Sequence, residues 1–328
     1  MTEADALLLG QPPPSPRIFS QPAVVAVAAG TGAESLIISA VRGNRSALEW
    51  ISDVFISAAV ASVMYLWLHL KASRTRLLDV ERRGIVLAEQ MRLAATIQRN
   101  LLPEVPGSSP GFNWAARMVP AGLVGGDFYD FLEPAKGVTL VVLGDISGKG
   151  IPAALLHSSL RSAFRIFAME TTDPVEIAER MAAALHGQTG GVPYATAIVA
   201  RFDSSSMRLT YVNAGHPAGL LVRGDTESKL DVGGSPLGLL AGARYEAASL
   251  DLRPGDLGVL TTDGVTEALE GTSTTVPDLL RHERRLWSGP GGAGDVCAFL
   301  LEAASNAPGP VGAGDWHDDA TAFVFRVA

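Results

Sequence analysis

The stretch Val141-Val142-Leu143-Gly144-Asp145-Ile146-Ser147-Gly148-Lys149-Gly150 decides how this chain is read. An apolar run ends in an aspartate, a glycine-rich turn follows, and a helical pattern runs from Ile151 to Phe167. That order puts the carboxylate at a strand end, where a side chain is held rigidly. The glycines let the backbone turn sharply and leave room for a bound group. Taken alone, the same pattern also describes an ordinary strand-to-helix turn.

Three other clusters share its character. Upstream is Val124-Gly125-Gly126-Asp127-Phe128-Tyr129-Asp130; downstream are Thr262-Asp263-Gly264-Val265-Thr266-Glu267 and His317-Asp318-Asp319-Ala320-Thr321. Each sets one or two carboxylates beside a glycine or small residue at the edge of a strand-like run. Carboxylates brought together by a fold repel, so such a site calls for cations. Ligands that are all oxygen select hard ions, Mg²⁺ or Mn²⁺, rather than zinc. Two such ions about 3.5–4 Å apart would activate a water and clamp a phosphoryl group.

These motifs, with Asn213-Ala214-Gly215-His216-Pro217 between them, resemble in order the metal-dependent serine/threonine phosphatases of the PPM family. The nearest branch is the SpoIIE-like group of sporulation and stress-response phosphatases, and the match covers roughly 90–328. The resemblance implies an α+β fold, a β-sandwich of two antiparallel sheets between helical layers. It implies a protein phosphatase using water activated by two divalent ions, Mn²⁺ or Mg²⁺. It also implies a phosphorylated anti-sigma-factor antagonist as substrate, in a partner-switching pathway. Carried over by position, Asp145 bridges both ions and the Ile146 carbonyl joins it. Asp127 holds the second-metal side, and Asp263 and Asp318 hold the first metal. Asp145 and Asp263 are then the catalytic pair. Asp319 is a close neighbour of Asp318, and Asp130 and Glu267 read as supporting residues. Where eukaryotic relatives often carry a histidine, this chain has Ser147, so the proton donor is open. His216 is either a general acid or a turn histidine bonded to backbone. Lys149 either contacts phosphate or faces solvent.

Composition sets outer limits. The 328 residues suggest one large domain with an appendage, and 47% hydrophobic content is enough for a sizeable core. A net charge of −8 argues against nucleic acid as partner. The single cysteine, Cys297, excludes a disulfide within the chain and fits a reducing compartment.

The N-terminal part has a different character. Residues 1–20 read as a flexible tail without a secretory signal pattern. The segment 21–70 reads as membrane-associated. Within it, Pro22 to Val41 is a poor membrane helix or a soluble one, and 54–70 is the best transmembrane candidate, with no formal charge. Lys71, Arg74 and Arg76 follow it, which puts the C-terminal side, and the catalytic domain, in the cytoplasm. The alternative is a buried helix or an amphipathic dimer helix.

Residues 71–105 read as a linker helix. Leu77, Val80, Gly84, Leu87, Met91, Ala94, Gln98 and Leu101 alternate by three and four, a seam for a homodimer or for packing on the chain's own domain. By resemblance this helix is regulatory and its position switches the metal site on. The phosphatase domain follows at 106–328. Its expected strands are Phe112 to Pro120, Phe128 to Leu132, Gly137 to Leu143, Tyr194 to Phe202, Arg208 to Asn213, Gly219 to Arg223, Arg244 to Leu250, Asp256 to Thr261 and Ala320 to Val327. Two rival functions remain: a non-enzymatic partner-binding module on the same fold, and a nucleotide cyclase suggested by Gly125-Gly126-Asp127. The cyclase pattern lacks its paired acidic residues, because Phe128-Tyr129 follow.

Overall fold

Strand residues Val138–Ile146 lie inside a sheet covered on both faces, which is why Leu140–Leu143 at their centre read as an apolar run rather than an alternation. The computed structural model describes residues 47–103, 107–109, 111–270, 274–283, 285–288, 292–307, 316 and 318–328. The readings of the tail 1–20 and of Pro22 to Val41 lie outside the described residues, as does the glycine-rich 308–314. So does His317 of the last motif.

By its contacts the chain divides after Leu87 into two units. The first is the greater part of a single helix, α1 (Ala47–Leu101), whose sequence holds one glycine, Gly84, and no proline before Pro103. Linker and membrane candidate are therefore one uninterrupted helix. In the first unit its large apolar side chains lie bare: Phe55 is 71% exposed, Val63 69% and Leu70 61%. It is long and apolar enough to cross a bilayer, with an 18-residue window of mean hydropathy 1.7.

The second unit contains the last turns of α1 and the sandwich. Its elements are β1 (Gly107–Ser109), β2 (Phe112–Val119), β3 (Phe128–Ala135), β4 (Val138–Ile146), α2 (Ile151–Glu170), α3 (Pro174–Thr189), β5 (Ala195–Asp203) and β6 (Arg208–Ala214). Then come β7 (Gly219–Arg223), β8 (Thr226–Leu230), β9 (Gly233–Gly234), β10 (Ala248–Asp251), β11 (Leu257–Thr261) and α4 (Asp263–Leu269). The chain closes with α5 (Val276–His282), α6 (Arg285–Ser288), α7 (Ala293–Ser305) and β12 (Ala320–Val327).

Among the described residues the strands make two sheets, in the orders β1-β2-β12-β11-β7-β8 and β10-β6-β5-β4-β3. Pairing is antiparallel except for the short β9, which runs parallel to β6. Side chains on successive strand residues point to opposite faces. Val141 and Leu143 of β4 therefore meet Phe202, Leu260, Phe323 and Phe325 between the sheets. Leu140 and Val142 point the other way, onto Leu160, Phe164, Ile177 and Met181 of α2 and α3. The outer face of the first sheet packs Leu220, Val259 and Val324 against Val265, Leu280, Val296 and Leu300 of the C-terminal helices. The expected two antiparallel sheets between helical layers are what is found.

Several local expectations shift. In sequence the apolar face of α2 runs through Leu155, Leu156, Leu160, Ala163, Phe164 and Phe167, which makes it the expected buried face. The buried residues are Ala153, His157, Leu160, Phe164 and Ala168, and Leu155 is 68% exposed. The strand expected over Arg244 to Leu250 shrinks to β10, because Tyr245 turns inward to pack near Gly234. Strand β8 and helix α4 were not anticipated. The Asp173 side chain accepts from the Val175 amide and caps α3, as Asp before a helix-opening Pro leads one to expect.

At the centre, the Phe202 ring lies 5.3 Å from Phe112 and 4.6 Å from Phe325, centroid to centroid and edge-on. Phe202→Ala removes a fully buried ring that touches both sheets. It should cost about 3–5 kcal/mol, measured as a lower urea midpoint for the sandwich with an unchanged slope.

Candidate metal centre

The four acidic motifs meet at one end of the sandwich. Asp145 is the penultimate residue of β4, opposite Thr196 of β5. After Ile146 the chain turns through Gly148 (φ 107°) and Gly150 (φ 81°), backbone angles that favour glycine. Helix α2 then starts with Pro152 in its first turn. Ser147 is tied down at this turn. Its amide and its hydroxyl each donate to the Tyr194 carbonyl at 2.9 Å, and its oxygen accepts from the Tyr194 amide at 2.9 Å.

Asp127 begins the approach to β3 and is fully buried. Its Oδ2 accepts from Thr262 Oγ1 at 2.8 Å and from Thr321 Oγ1 at 2.6 Å. These threonines stand at the end of β11 and in β12, so the first sheet grips a carboxylate belonging to the second. The other oxygen, Oδ1, is buried without a hydrogen-bond partner among the described residues. Asp319 braces the turn before Asp127. Its carboxylate accepts from the Ala121 amide at 2.8 Å and the Gly126 amide at 2.6 Å. A side chain at Gly125 would collide with that carboxylate, its Cβ lying 2.5 Å from Oδ2. A Cβ at Gly126 would lie 2.9 Å from the Ile146 carbonyl and 3.0 Å from Asp145 Oδ1. The glycine thus keeps clear the space that those two oxygens face.

Asp263 is the first residue of α4, and Asp318 lies just before β12. Asp318 Oδ1 accepts from the Asp319 amide at 2.9 Å, and Oδ2 is 3.0 Å from Lys149 Nζ. The carboxylates feel one another. Burial, then Asp263, Asp318 and Asp319, push Asp145 up to about 7. Burial and Asp145 raise Asp127 against the pull of its two threonines. Asp263, Asp319 and Glu267 are raised as well, burial first in each case.

The structure therefore brings together Asp127, Asp145, the Ile146 carbonyl, Asp263, Asp318, Asp319 and Lys149. Among the described residues, no three acidic, histidine or cysteine side chains already close around one ion position. The donor chemistry nevertheless suits a hard divalent cation. All donors are oxygen, one buried carboxylate oxygen is unpartnered, and Gly126 leaves a cradle that any Cβ would fill.

His216 is not with them. It is buried, with Nδ1 2.9 Å from Thr196 Oγ1, its amide donating to Asn213 Oδ1 and its carbonyl accepting from Asn213 Nδ2. Burial pushes its imidazole down to about 3, so it stays neutral. One supporting residue, Gln98, escaped the sequence reading, whereas Asp130 was expected as one. Gln98, at the end of α1, donates to the Gly125 carbonyl at 2.6 Å and to His157 Nδ1 at 2.9 Å, and accepts from the Gly125 amide at 3.1 Å. Asp130, fully buried, accepts from Arg161 and Arg165 of α2 at 2.6–2.8 Å.

The family model described as Stage II sporulation protein E (SpoIIE) matches residues 135–328. The chain belongs to the SpoIIE family. Its matched segment carries Asp145, Asp263 and Asp318. Among curated relatives it is similar to phosphoserine phosphatase RsbU of Bacillus subtilis (strain 168), 28% identical over 189 residues, 56% of each chain. It is also similar to protein IcfG of Synechocystis sp., 26% identical over 236 residues, 63% of this chain and 37% of that one. The chain thus spans about half or less of the length of these relatives. Among solved structures, the RsbU and RsbW domains of Rv1364c from Mycobacterium tuberculosis align with a TM-score of 0.58 and 29% identity, covering 67% of this chain and 62% of that one. The SiaA-PP2C domain of Pseudomonas aeruginosa shares the fold, with a TM-score of 0.62 and 23% identity over 75% of this chain and 98% of that domain.

A carboxylate with a raised pKa holds protons more tightly folded than unfolded. Without a cation, Asp145 therefore costs stability progressively as pH rises from about 4 to about 7. Asp145→Asn removes that cost. In chelator at pH 7.5 the variant should melt about 2–4 °C above the parent chain and should gain less than the parent from added Mn²⁺. Calorimetric scans in both conditions check this; a lower melting point for the chelated variant would contradict it.

Proposed function

We propose that this chain is a metal-dependent phosphoserine/phosphothreonine protein phosphatase. We place it at a membrane through α1, with the catalytic unit in the cytoplasm. The observation that carries the reading is the meeting of Asp127, Asp145, Asp263 and Asp318 in one mutually repelling cluster, in a chain of the SpoIIE family. The donors for two divalent ions, Mn²⁺ or Mg²⁺, are Asp145, the Ile146 carbonyl, Asp127 Oδ1, Asp263 and Asp318. Such ions, when bound, supply Lewis-acid activation of water and neutralise phosphoryl charge.

The chain's own residues do the positioning. Thr262 and Thr321 fix Asp127 so that one oxygen is committed and the other is left over. Asp319 holds the backbone of the Gly125-Gly126 turn. Attack on phosphorus is in line and direct, with no covalent intermediate on the enzyme. Ser147 is engaged with Tyr194 and His216 is buried and neutral, so neither is placed to give the proton to the departing hydroxyl.

The name of the similar phosphoserine phosphatase RsbU supports a phosphoserine substrate; a phosphorylated anti-sigma-factor antagonist in a partner-switching pathway is what the motif resemblance implies. The bare apolar surface of α1 supports membrane insertion, and Lys71, Arg74 and Arg76 support a cytoplasmic C-terminal end. The seam from Leu77 onward supports a homodimer. One observation favours a second reading, a catalytically idle partner-binding module: the carboxylates are not closed around an ion position among the described residues.

Full-length chain in detergent with Mn²⁺ should release phosphate from a phosphoserine peptide. The double variant Asp145→Asn, Asp263→Asn should fall to background; equal turnover by that variant would remove the metal assignment. Parent chain that binds Mn²⁺ yet releases no phosphate would point to the idle module. Gln98→Ala strips partners from both Gly125 backbone groups and from His157. With a buried unmet polar group worth about 1–3 kcal/mol, kcat should drop roughly tenfold or more while the far-ultraviolet circular dichroism spectrum is unchanged.

A further inference from the structure

Asp127 and Asp318 differ in one respect that bears on cation binding. Asp127 keeps an unpartnered oxygen among the described residues, whereas both oxygens of Asp318 are engaged. Oδ1 is taken by the Asp319 amide, a fixed backbone donor. Oδ2 is taken by the ammonium of Lys149, at 3.0 Å. The oxygen of Asp318 open to exchange is thus the one the lysine holds.

Lys149 is well placed for this. It sits between Gly148 and Gly150, both in the left-handed region, and nothing lies within 4 Å of where a Cβ would stand on either. The turn is unobstructed, and the lysine side chain is 66% exposed against 35% for Asp318. The carboxylates facing the ammonium are Asp318, Asp319 and Glu267, with Asp263 also in its field. A single flexible cation therefore stands at the mouth of an acidic cluster and partly neutralises it.

We propose that Lys149 is a tethered counter-ion that shares Asp318 Oδ2 with the incoming divalent cation and must release it before that cation is fully held. The inference rests on the metal-dependent reading given above. The lysine lowers the cost of assembling the carboxylates in the cation-free state. By the same contact it weakens cation binding, so occupancy tracks the free divalent-ion concentration rather than saturating at trace levels.

Calorimetric titration of Mn²⁺ into full-length chain in detergent tests this, with no substrate present. Lys149→Met should bind Mn²⁺ about two- to fivefold more tightly than the parent, the worth of one partly exposed ion pair. Lys149→Arg, which keeps the charge, should stay near the parent. In an Asp318→Asn background, adding Lys149→Met should change little, because the shared oxygen is gone. A melting curve confirms that each variant is folded, and Lys149→Gln replaces Lys149→Met if that one is not. Equal or weaker Mn²⁺ binding by Lys149→Met overturns the inference while leaving the metal reading intact. No Mn²⁺ uptake by the parent chain overturns both.

Discussion

Repulsion among like charges is the constraint the rest of this structure serves. Asp127, Asp145, Asp263, Asp318 and Asp319 form one group of neighbouring charges, and burial makes those of Asp127, Asp145, Asp263 and Asp319 harder to carry. Left to itself such a group of side chains would rotate apart into solvent. The fold prevents this by taking each carboxylate from a different element end and fixing it there. Asp127 is held by two threonine hydroxyls, Asp319 by two backbone amides, Asp318 by an amide and a lysine. Asp145 sits in the ladder of β4, and Asp263 opens a helix. These donors compensate part of the charge, and the remainder is what a divalent cation is suited to neutralise.

That arrangement needs strand ends that do not move, which explains why the sandwich is covered on both faces. Phe202, Phe323 and Phe325 fill the space between the sheets, and helices close the outer surfaces. Polar links then tie the layers together at the site end. Thr262 and Thr321 reach from the first sheet to Asp127 at the edge of the second. Asp130, three residues further on, is completely buried and clamped by Arg161 and Arg165, fixing α2 to β3. Removing one partner from such a buried pair costs far more than the pair contributes, so the clamp resists piecemeal change. His157 on the inner face of α2 meets Gln98 from the end of α1, and Gln98 holds the turn that leads into Asp127. Hydrogen bonds from the last turns of α1 thus fix the backbone two residues before a candidate ligand.

Legibility in the sequence followed how repetitive each signal was. Strand β4 was readable because a buried strand writes itself as an apolar run, and its end at a Gly-Asp step placed Asp145. The carboxylates were readable because each stood beside a glycine or another small residue. The threonines gripping Asp127 were not, since Thr262 and Thr321 each occur once and carry no periodicity. Helix α4 has seven residues, too few to show a helical period. Leu155 was misplaced for a related reason. Leu155 and Leu156 are adjacent and equally apolar, and pattern alone could not tell that His157, a polar residue, occupies the buried face. Gln98 is the clearest case. In sequence it is a polar fault in an apolar seam; in the structure that polarity is used, because its side-chain amide both donates to and accepts from the Gly125 backbone.

The two residues that sequence offered as proton donors show how position and role separate. Ser147 stands two residues after Asp145, where a histidine would face the reaction, yet its hydroxyl both donates to and accepts from Tyr194. The position has been given over to pinning the glycine turn against the loop before β5. His216 bonds to Thr196, whose backbone partner in the ladder is Asp145, and its own backbone is bound by Asn213. It braces the floor beneath the carboxylates and, being neutral, adds no charge there. With its nearby hydroxyl and imidazole so committed, the site is left with its clustered carboxylates as its main chemical resource. Nearly all of its architecture goes into holding negative charges where a cation can reach them.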